Sequence, residues 1–551
     1  MIPTFALVAG AAVTALGADK ARRRLILSKA KHPSLAGHVR WGKRIAGQIP
    51  ATRYDEAQAF HVDDAPADIV AARRAGFDRL AALFAERFAK TRALTAEARS
   101  GLSDLQFTGS YRVPFQFAQM ISTALSAGTF YERSEGPILT DLDGNRLWDL
   151  TGSYGVNVLG NDTYKTLMRE AIDQAEPLGG VLAGLHPLVA DNVARLKALS
   201  GMDEVSFHMS GTEAVMQAVR LARYHTRRSH LVRFVGAYHG WWGDVQPGIG
   251  NPVPADGTYT LADMSEKSLR VLRTKKNIAC VLVNPLQALH PNKGAPSDGS
   301  LVAGRQVPAV DRAAYAAWLK RLAETCREND IVLILDDVFT GFRLAPHGAA
   351  EYFDVQPDLV TYGKTLGGGF PVGVLCGKAA LMRRFRDDRP VDICFARGTF
   401  NAHPYVMAAM NGFLRLQDQP ATRALYDGLD ERWNGRAAAF NAKLEAAGLP
   451  VRVANLSSIW TVLHTAPSRY NWILQYYLRA EGLALSWVGT GRLIFSLDYD
   501  DAAFAEVADR FVAAAEKMKA DGWFWHPDGA TNKTIGRTLL REAIAKRLGR
   551  N

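Results

Sequence analysis

Lys364 lies in a glycine-rich run, Tyr362-Gly363-Lys364-Thr365-Leu366-Gly367-Gly368-Gly369. Upstream of it, Asp336-Asp337 follow an apolar run, Ile331–Leu335. An amine in a flexible turn can form a Schiff base with an aldehyde. A carboxylate at a strand end can keep a heteroaromatic nitrogen protonated, so that the ring draws electrons. Together they suit pyridoxal phosphate (PLP) chemistry. Taken alone, Lys364 would read as a solvated lysine near an acidic turn.

Further residues extend the pattern. Ser210-Gly211-Thr212-Glu213-Ala214 follows an apolar strand, Val205–Met209, and opens a helical stretch, Val215–Thr226. Free N–H groups at a helix start, with two hydroxyls beside them, favour an anion such as phosphate. An ordinary helix cap uses the same residue types. Tyr238-His239-Gly240 follows the strand Leu231–Val235 and offers a ring that could stack on a planar cofactor.

These elements need a scaffold, and the sequence supplies one. The chain has 551 residues, 48% of them hydrophobic, enough for two or three domains. From about 180 to 400, apolar strands such as Ala279–Val283 alternate with helical segments. That alternation implies a mainly parallel sheet covered by helices. Ile138–Asp149 reads as a hairpin turning at Asp143-Gly144-Asn145. Pro66–Lys90 has apolar residues at helical spacing (Ile69, Phe77, Leu80, Phe84, Phe88). Phe107–Phe117 reads as an entry loop. After about 420 the order helix, strand, strand, helix suggests a small α+β domain. The expected division is 1–60 as an apolar and basic extension, 61–150 as a helical segment and hairpin of the small domain, 151–415 as the large domain, 416–530 as the small C-terminal domain and 531–551 as a basic helical tail.

The net charge is +11, and Lys20–Arg53 contains ten Lys or Arg with no Asp or Glu. No nucleic-acid module accompanies this segment, so a nucleic-acid partner is not expected. Ile2–Ala18 is uncharged. As a helix it would span roughly 25 Å, against a hydrocarbon core of ~30 Å. With the basic residues after it, residues 2–31 read as an anchor or interfacial helix that leaves the body in the cytoplasm. The alternative is a helix packed on the catalytic body or on a partner subunit. Four scattered cysteines without a CxxC argue against a disulfide framework and a zinc site.

In order along the chain, Ser-Gly-Thr-Glu-Ala, Tyr-His-Gly, Asp-Asp-Val-Phe-Thr-Gly-Phe-Arg (336–343), Gly-Lys-Thr-Leu-Gly-Gly-Gly-Phe-Pro-Val-Gly (363–373) and Arg-Gly-Thr-Phe-Asn (397–401) resemble a class III aminotransferase. Within that class the chain is most similar to the glutamate-1-semialdehyde aminomutase group. The resemblance covers about 110–520. It implies PLP fold type I, an α/β fold with a mainly parallel sheet in a large domain and a small α+β domain. It also implies a homodimer with shared active sites. By resemblance, Lys364 carries the cofactor and shuttles the proton. Asp336 pairs with the ring nitrogen, while Val338 and Tyr238 flank the ring. Ser210, Gly211, Thr212 and His239 belong to the cofactor site, Gln287 meets the ring hydroxyl, and Thr399 reaches the partner's phosphate. Substrate candidates are Arg112, Tyr154, Trp241, Trp242 and Arg343.

Three departures from the family pattern stand out: Asp337 replaces a glutamate, Asn284-Pro285 replaces Glu-Pro, and Trp241-Trp242 replace smaller or more polar residues. The expected function is amino transfer from an amino acid to an aldehyde, ketone or keto-acyl acceptor, with a lipophilic acceptor suggested by the apolar N-terminus and the tryptophans. The alternatives are an intramolecular 2,1-aminomutase, a related epimerase or decarboxylase, and a non-catalytic membrane-bound scaffold.

Overall fold

The computed structural model describes residues 2–108, 112–126, 130–246, 250–254, 256–290, 301–306, 311–486 and 491–549. Its strands are β1 Tyr131–Glu135, β2 Ile138–Asp141, β3 Arg146–Asp149, β4 Glu204–His208, β5 His230–Phe234, β6 Thr258–Leu261, β7 Ile278–Val283, β8 Val332–Asp336, β9 Leu359–Gly363, β10 Gly373–Gly377, β11 Val451–Leu456, β12 Ile459–His464, β13 Leu483–Ala484 and β14 Leu493–Ile494.

The chain forms two compact units. The first comprises Met1–Gly47, Gln174–Ala295 and Asp311–Leu414. Its seven-stranded sheet has the order β4-β10-β9-β8-β7-β5-β6. The run from β9 to β6 is parallel, and β10 is antiparallel to both its neighbours. Every residue of β7, β8 and β9 is buried. This is why these strands read as unbroken apolar runs rather than alternating ones. The helix Gly211–Thr226 buries Ala214, Val215, Ala218, Val219, Leu221 and Ala222. Most of that face belongs to one core cluster with Leu231, Leu282, Ile334 and Leu375.

The backbone of Ile2–Ala30 is a single helix. It packs against the helix Glu266–Thr274, and the carbonyl of Ala30 accepts from Ala262 N at 2.9 Å. Among the described residues no helix is long and apolar enough to cross a membrane, so the anchor reading of residues 2–31 finds no support. The uncharged stretch is rich in Ala and Gly and meets Asp19 and a basic run before it reaches spanning length. All four cysteines are free and buried.

The second unit comprises Gln48–Asp173, Pro296–Val310 and Arg415–Asn551. The segments thus group differently from the expected division: residues 1–47 join the first unit, and 151–173 join the second. The latter grouping follows from the backbone. Leu150 N donates to Ala484 O and Leu497 N donates to Val158 O, at 3.0 and 2.7 Å, tying 150–158 to the C-terminal strands. The hairpin forms as expected, with Leu139 opposite Leu147 and Gly144 at φ +84°. Asp141 Oδ1 accepts from the backbone N of Asp143 and Asn145, which fixes the turn. Tyr111 of the expected entry loop lies outside the described residues. A second sheet, β11-β12-β14, packs Trp460 among Trp433, Phe440, Phe495 and Phe504. The tail forms a helix, Asn532–Arg547, whose Glu542 accepts from Arg469 Nη1 (2.9 Å) and Tyr54 Oη (2.6 Å).

The helix Ala67–Arg87 presents a charged residue to its own apolar face. Arg73 is wholly buried, makes a two-pronged bond to Asp63 (2.7 Å each) and lies 4.3 Å from the Tyr470 ring centroid. Removing one partner of such a pair leaves the other charge buried and unmatched. Arg73→Ala should therefore destabilise the second unit by about 3–5 kcal/mol in denaturant titrations. A loss below about 1 kcal/mol, typical of an exposed pair, would contradict this reading.

Candidate active site

The site residues of the first unit sit on turns that leave its strands at one edge of the sheet. Ligands bind at the carboxyl ends of strands in open α/β sheets. β8 ends on Asp336, and β9 ends on Gly363, directly before Lys364. β5 leads to Tyr238-His239-Gly240, β7 to Asn284–Gln287, and β4 to Ser210.

Asp336 is buried, and its Oδ2 accepts from His239 Nδ1 at 2.7 Å. Its Oδ1 lies 3.3 Å from Val338 N and 3.4 Å from Thr361 Oγ1. Burial pulls the His239 pKa down, against the opposing pull of Asp336. A neutral His239 that donates from Nδ1 keeps a lone pair on Nε2. That atom is buried with no partner among the described residues.

Lys364 holds its backbone at φ +51°, a left-handed conformation that non-glycine residues rarely adopt. Its Nζ lies 5.7 Å from the Phe339 ring centroid. Desolvation lowers the amine pKa; Asp336 opposes that shift and Arg343 adds to it. An amine so placed is a better nucleophile and base at neutral pH than a free lysine.

The turn after β4 is built for close approach. Ser210 caps the following helix, its Oγ accepting from Glu213 N at 3.3 Å, while Glu213 Oε2 accepts from Met209 N at 2.9 Å. The N–H groups of Gly211 and Thr212 lie in the first helical turn, where no intrahelical acceptor exists. A Cβ on residue 211 would stand 2.6 Å from Val338 Cγ1, and one on residue 363 would stand 3.2 Å from the same atom. Gly240, at φ +89°, would place a Cβ 2.5 Å from Thr212 Oγ1. The turns after β4, β5, β8 and β9 therefore pack closely, backbone against side chain.

The departures from the family pattern acquire physical reasons. Asp337 points away from Lys364: its Oδ1 accepts from Thr340 Oγ1 (2.5 Å) and its Oδ2 from Ala349 N (2.7 Å). A Cβ on Gly348 would stand 2.1 Å from Asp337 Oδ2, so space beyond the carboxylate is already taken. Burial pushes this carboxyl up to about 7. Asn284 donates from Nδ2 to Tyr238 O (2.9 Å) and accepts from Leu286 N (3.1 Å). An ionised glutamate could not make the first of these bonds.

Other expected residues scatter. Gln287 is buried and donates from Nε2 to Val235 O at 2.6 Å, leaving its Oε1 as acceptor. Tyr238 is 58% exposed and Trp241 76% exposed. Trp242 is partly buried and packs against the core cluster. Arg343 is wholly buried, and its charge bears on Lys364 rather than standing open to a substrate carboxylate. Thr399 is exposed. Arg112 and Tyr154 belong to the second unit, both at positive φ (+65° and +56°). Phe339 and Thr361 were not anticipated. Phe339 follows Val338 in a quoted motif, but its proximity to the amine depends on the bend after β8.

Residues 122–245 and 305–514 match the model of the family "Aminotransferase class-III". The glutamate-1-semialdehyde 2,1-aminomutase of Geotalea daltonii is 30% identical over 415 residues, covering 70% of this chain and 90% of that protein. The enzyme of the same name from Hydrogenobaculum sp. is 32% identical over 351 residues, covering 60% of this chain and 76% of its own. A solved transaminase with PLP bound superposes with a TM-score of 0.64 at 25% identity, covering 79% of this chain and 99% of that one. The chain belongs to the class III aminotransferases.

The contact between Gly240 and Thr212 gives a test of the geometry. Gly240→Ala must adopt φ +89° and displace the Thr212 hydroxyl. With about 1–3 kcal/mol of strain, PLP affinity of the apoprotein should fall roughly tenfold or more in a fluorescence titration. Unchanged affinity would mean that Thr212 does not face the phosphate.

Proposed function

We propose that the first unit carries a PLP-dependent amino-group transfer centred on Lys364. The chain's own residues fit the cofactor: an open helix start at Gly211–Thr212, turns with no space for a Cβ, a buried carboxylate on Asp336 and a partly desolvated amine. Bound PLP supplies an aldehyde and an electron-accepting ring. The observation that carries the reading is the Asp336–His239 pair at 2.7 Å beside a lysine whose amine pKa is depressed.

In this reading Ser210, Gly211 and Thr212 hold the phosphate, and Asp336 accepts from the ring nitrogen. His239, neutral, fixes the Asp336 carboxylate by donating from Nδ1 and leaves it the only formal charge of that pair. Val338 supports one face of the ring and Tyr238 covers the other, with its carbonyl held by Asn284. Gln287 offers Oε1 to the ring hydroxyl. The Lys364 amine takes up and returns the substrate proton, a role that its lowered pKa, caused by desolvation, favours. Thr399 is exposed and makes no hydrogen bond among the described residues, which suits a contact to a second copy. A homodimer with shared sites follows, and sedimentation equilibrium should give twice the chain mass. A monomer that retains full activity would remove Thr399 from the site.

Transfer from an external amino acid to a carbonyl acceptor is the principal reading. It is supported by Asn284, which sets an amide bound to Tyr238 where a carboxylate is usual, and by the exposed Trp241. Intramolecular 2,1-amino transfer is the second reading, supported by the names of the relatives that are 30–32% identical. Donor dependence separates them. Amino acids added singly to the PLP-loaded protein, without acceptor, should bleach its visible absorbance band for at least one donor. A band untouched by every amino acid but altered by a small amino aldehyde would favour the mutase and contradict the principal reading.

A further inference from the structure

β5 carries a single arginine, Arg233, two residues after Leu231 and so on the same face of the sheet. That face belongs to the core cluster, which also takes in Val245 from the loop beyond the strand. Arg233 is partly buried there. Its Nη1 donates to Val245 O, and its Nη2 donates to Ala237 O at 2.8 Å. Its Nε is buried without a partner, and among the described residues both bonds of its guanidinium go to backbone carbonyls. Turn carbonyls shielded from water need donors, and a guanidinium is a rigid fork that can hold two at once.

The two carbonyls lie at the ends of one loop, and the residues between them are those of the cofactor turn. Tyr238, His239 and Gly240 follow Ala237 directly. His239 Nδ1 meets Asp336 Oδ2 at 2.7 Å, Tyr238 O accepts from Asn284 Nδ2 at 2.9 Å, and a Cβ on Gly240 would stand 2.5 Å from Thr212 Oγ1. At the far end Val245 N and Gln246 N both donate to Trp242 O, at 3.1 and 3.0 Å, and Gln246 Nε2 reaches back to Gly240 O at 3.3 Å. A shift of either end is therefore passed to three contacts of the site. Burial lowers the His239 pKa, Asp336 opposes this, and the Arg233 charge adds to the lowering.

We infer that Arg233 is a positioning residue: it staples the two ends of the 237–245 loop, and so sets His239 against Asp336 and Gly240 against Thr212 for the cofactor. The inference rests on the reading of Lys364 as the lysine that carries PLP. Arg228 provides a control on the same strand. It lies before the opposite end of β5, and its Nη1 donates to the carbonyls of Asn329 and Asp330 at 2.8 Å each. It too clamps backbone, but not the cofactor turn.

The test compares Arg233→Met, Arg233→Lys and Arg228→Met with the parent protein. Two readouts are taken: PLP affinity of the apoprotein by fluorescence titration, and visible circular dichroism of the PLP-loaded protein, which reports how the ring is held. Arg233→Met should weaken PLP binding about tenfold or more and lose about half or more of the dichroic signal at saturating PLP. Arg233→Lys keeps the charge but not the fork. It should lose about threefold in affinity, and it carries the test if the methionine variant does not fold. Arg228→Met should match the parent in both readouts. Parental affinity and dichroism in the Arg233 variants, or equal losses in Arg228→Met, would overturn the inference. Borohydride labelling of the parent checks the underlying reading separately. A parent labelled on Lys364 with unaltered Arg233 variants overturns the staple alone, and a parent labelled elsewhere overturns both.

Discussion

The hydrogen bond between His239 and Asp336 is the contact around which the first unit is organised. A carboxylate at the end of the buried strand β8 needs a donor, and His239 supplies one at 2.7 Å from the turn after β5. The sheet order makes the arrangement reproducible. β8 lies between β7 and β9, and Asp336 is paired in register with Thr361. Lys364 stands three residues beyond Thr361 on the neighbouring strand's exit. The distance between carboxylate and amine is thereby fixed by strand register rather than by loop length. The same low-dielectric setting that favours a neutral His239 depresses the Lys364 amine.

Strain and close packing accompany this placement. Lys364 sits at φ +51° and Gly240 at φ +89°. Neither conformation is favourable for an ordinary side chain, and both lie where turns converge. Val338 touches the space that a Cβ would need on both Gly211 and Gly363. The turns that carry the amine and the open helix start are thus held against one common side chain, so the site is pre-organised by the scaffold.

Much of this was legible in the sequence because it is local. The buried strands showed as apolar runs, the hairpin showed as Asp143-Gly144-Asn145, and the ordered motifs placed Lys364, Asp336 and the Ser210 turn. What stayed hidden depends on side-chain direction or on distant segments. Asp337 is adjacent to Asp336, yet alternation along the chain sends it to Thr340 and Ala349. Trp241 and Trp242 divide in the same way between solvent and core. Arg343 belongs to a family motif, but its burial could not be read from spacing. The first helix left two readings open: its uncharged start allowed an anchor or interfacial helix, whereas its backbone packs on the helix Glu266–Thr274 and no described helix is apolar enough to cross a membrane.

The central claim is that Lys364, among all the lysines of the chain, carries the cofactor. Borohydride reduction of the PLP-loaded protein, followed by peptide mass mapping, tests it directly. The account predicts one stable pyridoxyl adduct, on Lys364, and none when a Lys364→Ala variant is treated identically. An adduct on a different lysine, or equal labelling of the variant, would contradict it.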